Sequence, residues 1–150
     1  MYKCKTEDQN LYADNSTNMC VAFDACSRSE GFFSDPISGN CVAWCPEGLY
    51  AENDTWTCTD YCENGFADNL TRKCVAVCPE VEDEGEDTYG DPTSHTCVKV
   101  CPDTMFAEND TQLCVYWDAC PTDTWSDIKS KHCVDRCPSE PLYFGLNSSH

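Results

Sequence analysis

Apolar and polar positions follow one schedule along this chain. An aromatic residue is followed by a small residue, an acid and usually Asn or Pro, and a Cys then stands eight positions after the aromatic. The interval is the same in Tyr12/Cys20, Phe33/Cys41, Tyr50/Cys58, Phe66/Cys74, Tyr89/Cys97, Phe106/Cys114 and Trp125/Cys133, so seven copies of one unit make this a repeat protein. Segments between successive Cys are too short for helices and carry Asp-Pro, Asn-Gly and Ser-Gly turn signals. The pattern therefore predicts very short strands in small hairpins. The step Cys-Val-x-x-Cys, as in Cys41–Cys45, Cys74–Cys78 and Cys97–Cys101, has the alternation and β-branching of such a strand, which Pro46, Pro79, Pro102, Pro121 and Pro138 would end.

Composition changes this picture in one respect, because 15 of the residues counted as hydrophobic are Cys. Little remains for a core, and units this small are stabilised by cross-links where burial cannot suffice. Cysteine at this density points to an oxidising, extracellular compartment. Zinc is disfavoured: the short pairs are C-x3-C, or C-x5-C at Cys20/Cys26 and Cys114/Cys120, and only three His are present.

Two disulfide ladders fit. In one, each bond closes its own loop: Cys4 to Cys20, Cys26 to Cys41, Cys45 to Cys58, Cys62 to Cys74, Cys78 to Cys97, Cys101 to Cys114 and Cys120 to Cys133, with Cys137 left over. In the other, neighbouring units interlock, as Cys41 to Cys58 with Cys45 to Cys62, and Cys20 is the orphan. Parity does not choose between them. Loop closure favours the first, at about 3 kcal/mol per bond in the chain-entropy picture. The reading is then a single array over residues 1–150, with units 4–20, 26–41, 45–58, 62–74, 78–97, 101–114 and 120–133. Truncation at both ends is expected, since the pattern calls for a Cys just before Met1 and another two residues beyond His150.

The formal charge of −18, with only nine Lys and Arg spread singly, leaves no basic stripe for a nucleic acid. Nothing approaches the apolar run of a membrane span, so direct membrane insertion by this segment is not expected.

At Cys97-Val-Lys-Val-Cys101-Pro followed by Phe106-Ala-Glu-Asn-Asp-Thr-Gln-Leu-Cys114, the chain resembles the furin-like, growth-factor-receptor type of cysteine-rich repeat. The C-V-x-x-C-P and Y-A-D/E-N-x-T signatures are more closely similar to tandem repeats in cysteine-rich surface proteins of ciliated protists. The resemblance covers essentially the whole chain. It implies bonding from the second Cys of C-x3-C to the next Cys downstream, in a rod of small disulfide-rich modules outside the cell. It implies no particular ligand.

Three positions after the aromatic, four units carry N-glycosylation acceptors, Asn15, Asn53, Asn69 and Asn109, and Asn147 follows Phe144 in the same way beyond the seventh unit. N-linked glycans are expected there, although Asn also serves turns, as its alternation with Pro36 and Pro92 suggests. The repeated aromatic is expected to cover the disulfide and the next module rather than to stack on a ligand. Trp44, Trp56 and Trp117 fall outside that rule and are candidates for contact with another chain. The acidic run Glu80, Glu82, Asp83, Glu84, Glu86 and Asp87 reads as a solvated face; it lacks the spacing of a calcium loop, and only weak, dispersed calcium binding fits it. No metal site, cofactor or catalytic constellation is evident, and His95, His132 and His150 each sit beside a Cys of the ladder or its expected position.

The expectation is therefore a structural segment of a glycosylated extracellular coat or fibre that associates with itself. The alternative is the ligand-binding stalk of a receptor or adhesin, which should show one concave or hydrophobic patch unlike the rest. A longer period is also visible. Cys20 and Cys26 recur as Cys114 and Cys120, and Asn15 and Asn53 as Asn109 and Asn147, each pair 94 residues apart. The two copies should share a local fold.

Overall fold

The computed structural model of the chain describes residue 4 and residues 11–26, 31–80 and 87–137. The acidic positions Glu82, Asp83, Glu84 and Glu86, together with Pro138, Asn147 and His150, lie outside them.

Each aromatic opens or lies in a strand, and each downstream Cys sits in the strand that returns. The hairpins are β1 (Leu11–Asp14) with β2 (Met19–Ala22), β3 (Phe33–Asp35) with β4 (Asn40–Val42), β5 (Tyr50–Glu52) with β6 (Thr57–Thr59) and β7 (Phe66–Asp68) with β8 (Lys73–Val75). They continue as β9 (Tyr89–Asp91) with β10 (Thr96–Val98), β11 (Met105–Glu108) with β12 (Leu113–Tyr116) and β13 (Trp125–Asp127) with β14 (His132–Val134). Among the described residues the only helical segments are two 3-10 turns, Phe23–Ala25 and Trp117–Ala119. This is the small disulfide-rich array of tandem hairpin modules expected from the pattern. The strands end sooner than the Cys-Val-x-x-Cys step suggested. They stop at the Val, and the next two residues form an exposed bend, as at Ala43–Trp44 and Lys99–Val100.

The chain forms two compact units, residues 1–74 and 75–150. Within the first, hairpins lie side by side in sequence order, joined by parallel bridges from β1 to β4 at Ala13/Asn40, β3 to β6 at Ser34/Thr57 and β5 to β8 at Ala51/Lys73. In the second, β9 meets β12 at Gly90/Leu113, and β11 meets β14 at Ala107/His132.

Each disulfide closes its own hairpin: Cys4–Cys20, Cys26–Cys41, Cys45–Cys58, Cys62–Cys74, Cys78–Cys97, Cys101–Cys114 and Cys120–Cys133, and Cys137 is free. The interlocked ladder is absent, since Cys41 bonds Cys26. Register explains the small residue after each aromatic. Ala13, Ser34, Ala51, Gly90, Ala107 and Ser126 stand directly across the hairpin from a bonded Cys, where a larger side chain would compete with the disulfide for space.

The core is a series of small clusters. Phe33 is buried against Leu49, Ala51, Cys45 and Cys58, so the aromatic of one module covers the disulfide of the next. Tyr89 does the same for Cys101 and Cys114, with Met105 and Ala107. One buried aromatic contributes about 1.5–3 kcal/mol, comparable to the disulfide it covers.

Candidate functional site

The hairpin tip is the most repeated polar construction in the molecule. The acid two residues after each aromatic is buried in six of seven modules, at Asp14, Asp35, Asp68, Asp91, Glu108 and Asp127. Glu52 is half-buried. A buried carboxylate needs donors, and the tip supplies them. Asp35 accepts from the Ile37 N–H at 2.9 Å, the Ser38 N–H at 3.2 Å and the Ser38 hydroxyl at 2.5 Å. Asp68 repeats this with Leu70 at 2.9 Å and Thr71 at 3.2 and 2.5 Å. Glu108 takes the Asp110 N–H at 2.9 Å, the Thr111 N–H at 2.8 Å and the Thr111 hydroxyl. The hydroxyl three residues beyond the acid is present in every module: Thr17, Ser38, Thr55, Thr71, Ser94, Thr111 and Ser130.

Electrostatics follow from these bonds. Burial pushes the Asp91 carboxyl up, but the Ser94 hydroxyl and the Thr93 and Ser94 N–H groups outweigh it and hold it below the ordinary range. Glu108 is likewise raised by burial and brought lower overall by Thr111 and Asp110. Asp127 is lowered chiefly by the Ser130 hydroxyl, against a smaller opposing effect of burial. These carboxylates act as internal caps of the turn.

The chain leaves the tip in the left-handed region. Asn18, Gly39, Trp56, Arg72, His95, Gln112 and Lys131 occupy one position with φ between 53° and 70°. That conformation costs a non-glycine residue roughly 1 kcal/mol or more. It also does two jobs. The N–H of this residue closes the turn onto the acid's carbonyl, as in Trp56 to Glu52 at 2.8 Å, and its carbonyl accepts from the preceding module, as from Ser34 to Trp56 at 2.9 Å. The same bond between modules recurs from Ala13 to Gly39, Ala51 to Arg72, Gly90 to Gln112 and Ala107 to Lys131.

Asn15, Asn53, Asn69 and Asn109 are all exposed at hairpin tips. In the modules of Asn15, Asn69 and Asn109 the Thr two residues on gives its hydroxyl to the buried acid; Thr55 instead shares a hydrogen bond with Thr57. The turn thus supplies its own reason for the Thr of the acceptor motif, and only the Asn calls for a further one. Tyr50 and Tyr89 each donate from the phenol to the side-chain carbonyl oxygen of the Asn in the next module, Asn69 at 2.6 Å and Asn109 at 2.8 Å. The amide nitrogen, where a glycan is attached, takes no part in that bond.

A second repeated feature lies in the bend after each hairpin. Three residues beyond the closing Cys stand Phe23, Trp44, Tyr61, Val77, Val100 and Trp117, all exposed; Arg136 takes this place in the last module. Trp44 and Trp117 therefore belong to one series that sequence spacing had left irregular. Trp56 does not belong with them. It is half-buried, stacks on Phe33 at 5.3 Å and packs against the core cluster there, because the left-handed residue curls back onto the preceding module's aromatic. It is a packing residue between the second and third modules.

Among the described residues no three His, Cys, Asp or Glu are grouped to hold a metal ion, and no helix is long and apolar enough to cross a membrane. His132 packs edge-on to Tyr89, with ring centroids 5.5 Å apart. Comparison of the chain with protein-family models, curated proteins and solved structures returns no match. The seven disulfides themselves assign the chain to an oxidising, extracellular or secreted environment.

Proposed function

We propose that this chain is a structural segment of an extracellular coat or fibre, kin to the cysteine-rich surface repeats it resembles, that associates with itself through the bends between modules. The observation that carries this reading is an exposed apolar side chain at the same bend position in six of seven modules. Each such residue is a weak contact, but contacts repeated at a fixed interval add through effective concentration. A protein using one face for one ligand has no need of an exposed apolar residue at this position in six modules. Glycans on Asn15, Asn53, Asn69 and Asn109 would coat the tips and leave the bends open. The net charge of −18 opposes association at low ionic strength and is screened by salt.

Sedimentation velocity across a salt series tests the proposal. Wild type should form oligomers whose size rises with salt, and the triple variant Trp44→Ser, Tyr61→Ser, Trp117→Ser should remain monomeric with its disulfides intact. A wild type that stays monomeric at all salt concentrations sinks it. A second reading, the ligand-binding stalk, draws support from one aromatic groove in the second unit.

A further inference from the structure

We propose that this groove, between the sixth and seventh modules, binds a neutral saccharide; the inference rests on the ligand-binding reading and not on self-association. The groove is open, with a volume of about 580 Å³. That is within the roughly 300–1,000 Å³ of small-ligand sites. Its apolar surface comes from Phe106, Tyr116, Trp117 and Ile128, and Tyr116 and Trp117 are 53% and 45% exposed, so both rings are accessible. Such rings give a large, rigid apolar face with a polar edge.

The polar groups favour a neutral ligand. Asp103 and Lys131 contribute one charge of each sign, and Thr104 and Ser126 add hydroxyls. The Lys131 ammonium is held over the Phe106 ring, 5.5 Å from its centroid, and donates to the Asp103 carbonyl at 2.5 Å. A cation entering the groove would meet this ammonium, and a polyanion would meet a chain of net charge −18. A sugar ring has an apolar face for the aromatics and hydroxyls that both donate and accept, which suits a rim of ammonium, carboxylate and hydroxyls.

The internal repeat separates what the fold requires from what it does not. β1, β2 and the turn Phe23–Ala25 recur 94 residues later as β11, β12 and Trp117–Ala119, with equivalent cross-strand partners. At positions lining the groove, the first copy has Ala22 for Tyr116, Phe23 for Trp117 and, after its shorter offset, Gly39 for Lys131. The backbone forms without these larger groups. Folding therefore gives no reason for two adjacent exposed aromatics, which no other bend carries.

The test titrates N,N′-diacetylchitobiose, mannobiose and cellobiose into the full chain, followed by tryptophan fluorescence and calorimetry. At least one should bind saturably. Tyr116→Ala, a residue the same backbone already accepts at Ala22, should weaken binding about tenfold, as truncation of an aromatic hot spot does. Trp44→Ala, exposed but outside the groove, should leave it unchanged. The idea is overturned if no sugar binds, if Trp44→Ala weakens binding as much, or if a basic peptide or heparin competes better than any neutral sugar. If free chitobiose also dissolves oligomers of the glycosylated chain but not of the enzymatically deglycosylated one, the source is a neighbouring copy's glycan. Sugar binding with no effect on oligomers identifies a foreign saccharide. Absence of sugar binding leaves the sedimentation result, and the structural reading, untouched.

Discussion

Replacing Asp35 by Asn isolates the capping carboxylate from its size. Asp35 is 1% exposed, and its two oxygens accept three hydrogen bonds from Ile37 and Ser38. Oδ1 takes the Ile37 N–H, which an Asn carbonyl can still do; Oδ2 takes both donors of Ser38, and an amide NH2 there would confront them. Two charge-assisted bonds are lost, at about 1.5–3 kcal/mol each where water cannot substitute. Pro36, Ile37 and Ser38 are exposed, so water recovers part of this. The expected loss is about 2–3 kcal/mol, or roughly 30- to 150-fold in an equilibrium constant. Because a repeat array opens module by module, the loss should appear locally. Amide hydrogen exchange provides the assay. Gly39, whose N–H donates to the Asp35 carbonyl at 2.9 Å, should exchange 30- to 150-fold faster in Asp35→Asn, by the same estimate. Asp54→Asn removes the same charge from an exposed tip position and serves as the control. Exchange at Gly39 within about twofold of wild type in Asp35→Asn, or equal acceleration in both variants, would refute the capping argument.

Trp56→Ala should cost about 2–3 kcal/mol in thermal or denaturant unfolding, because it strips the stack from Phe33, whereas Trp44→Ala should change stability by less than about 0.5 kcal/mol. Equal effects would contradict the assignment of the two residues. Enzymatic removal of N-glycans from material made in a secretory host should lower the mass by several glycan units, and peptide mapping should find them at Asn15, Asn53, Asn69 and Asn109; an unchanged mass rules them out. The depressed carboxyls of Asp91, Glu108 and Asp127 mean that the unfolded chain binds more protons. Their contribution is thus complete above the unfolded value near pH 4 and is lost as pH falls through the lower folded value. Calorimetry should show wild type more stable than Asp91→Asn at pH 7, with the gap closing as pH is taken well below about 4. A gap that persists in strong acid would assign it to shape rather than charge.

The residues that carry the architecture were legible because they recur at invariant spacing. The aromatic, the small residue and the Cys predict hairpins, and closing each loop locally predicts the disulfides that form. The acid recurs just as regularly, but by itself an acid reads as surface charge; its burial becomes legible only when Asp14, Asp35, Asp68, Asp91, Glu108 and Asp127 are each paired with the hydroxyl three residues on. The packing of Trp56 was not legible for a related reason. Its neighbours in sequence give no hint that a left-handed residue returns the ring to Phe33 of the preceding module. The division after Cys74 has no counterpart in the spacing of the Cys, which runs on unchanged through Cys78.

The 94-residue period shows how few residues this fold consumes. Between the two copies the strand limits, the register and the following 3-10 turn agree. The extended residues flanking the turn agree too, Ala22 with Tyr116 and Cys26 with Cys120, to within about 3° in φ and ψ. Yet Ala22 and Tyr116 have little else in common. What the copies share is an aromatic, a small residue opposite the disulfide, an acid with its hydroxyl, and the bonded Cys pair. The shared set is thus four side chains and one cross-link, with a backbone hydrogen bond to the neighbouring module. The bend is left over, and its exposed residue varies among Phe, Trp, Tyr, Val and Arg. An array built this way can change its surface module by module without altering its backbone, because the packing that neighbouring modules share lies at the aromatic and the disulfide, away from the exposed bend. Regular association and a single specialised groove are then compatible in one chain: the first needs only that most bends keep an apolar residue, and the second needs only that one bend acquire a second aromatic.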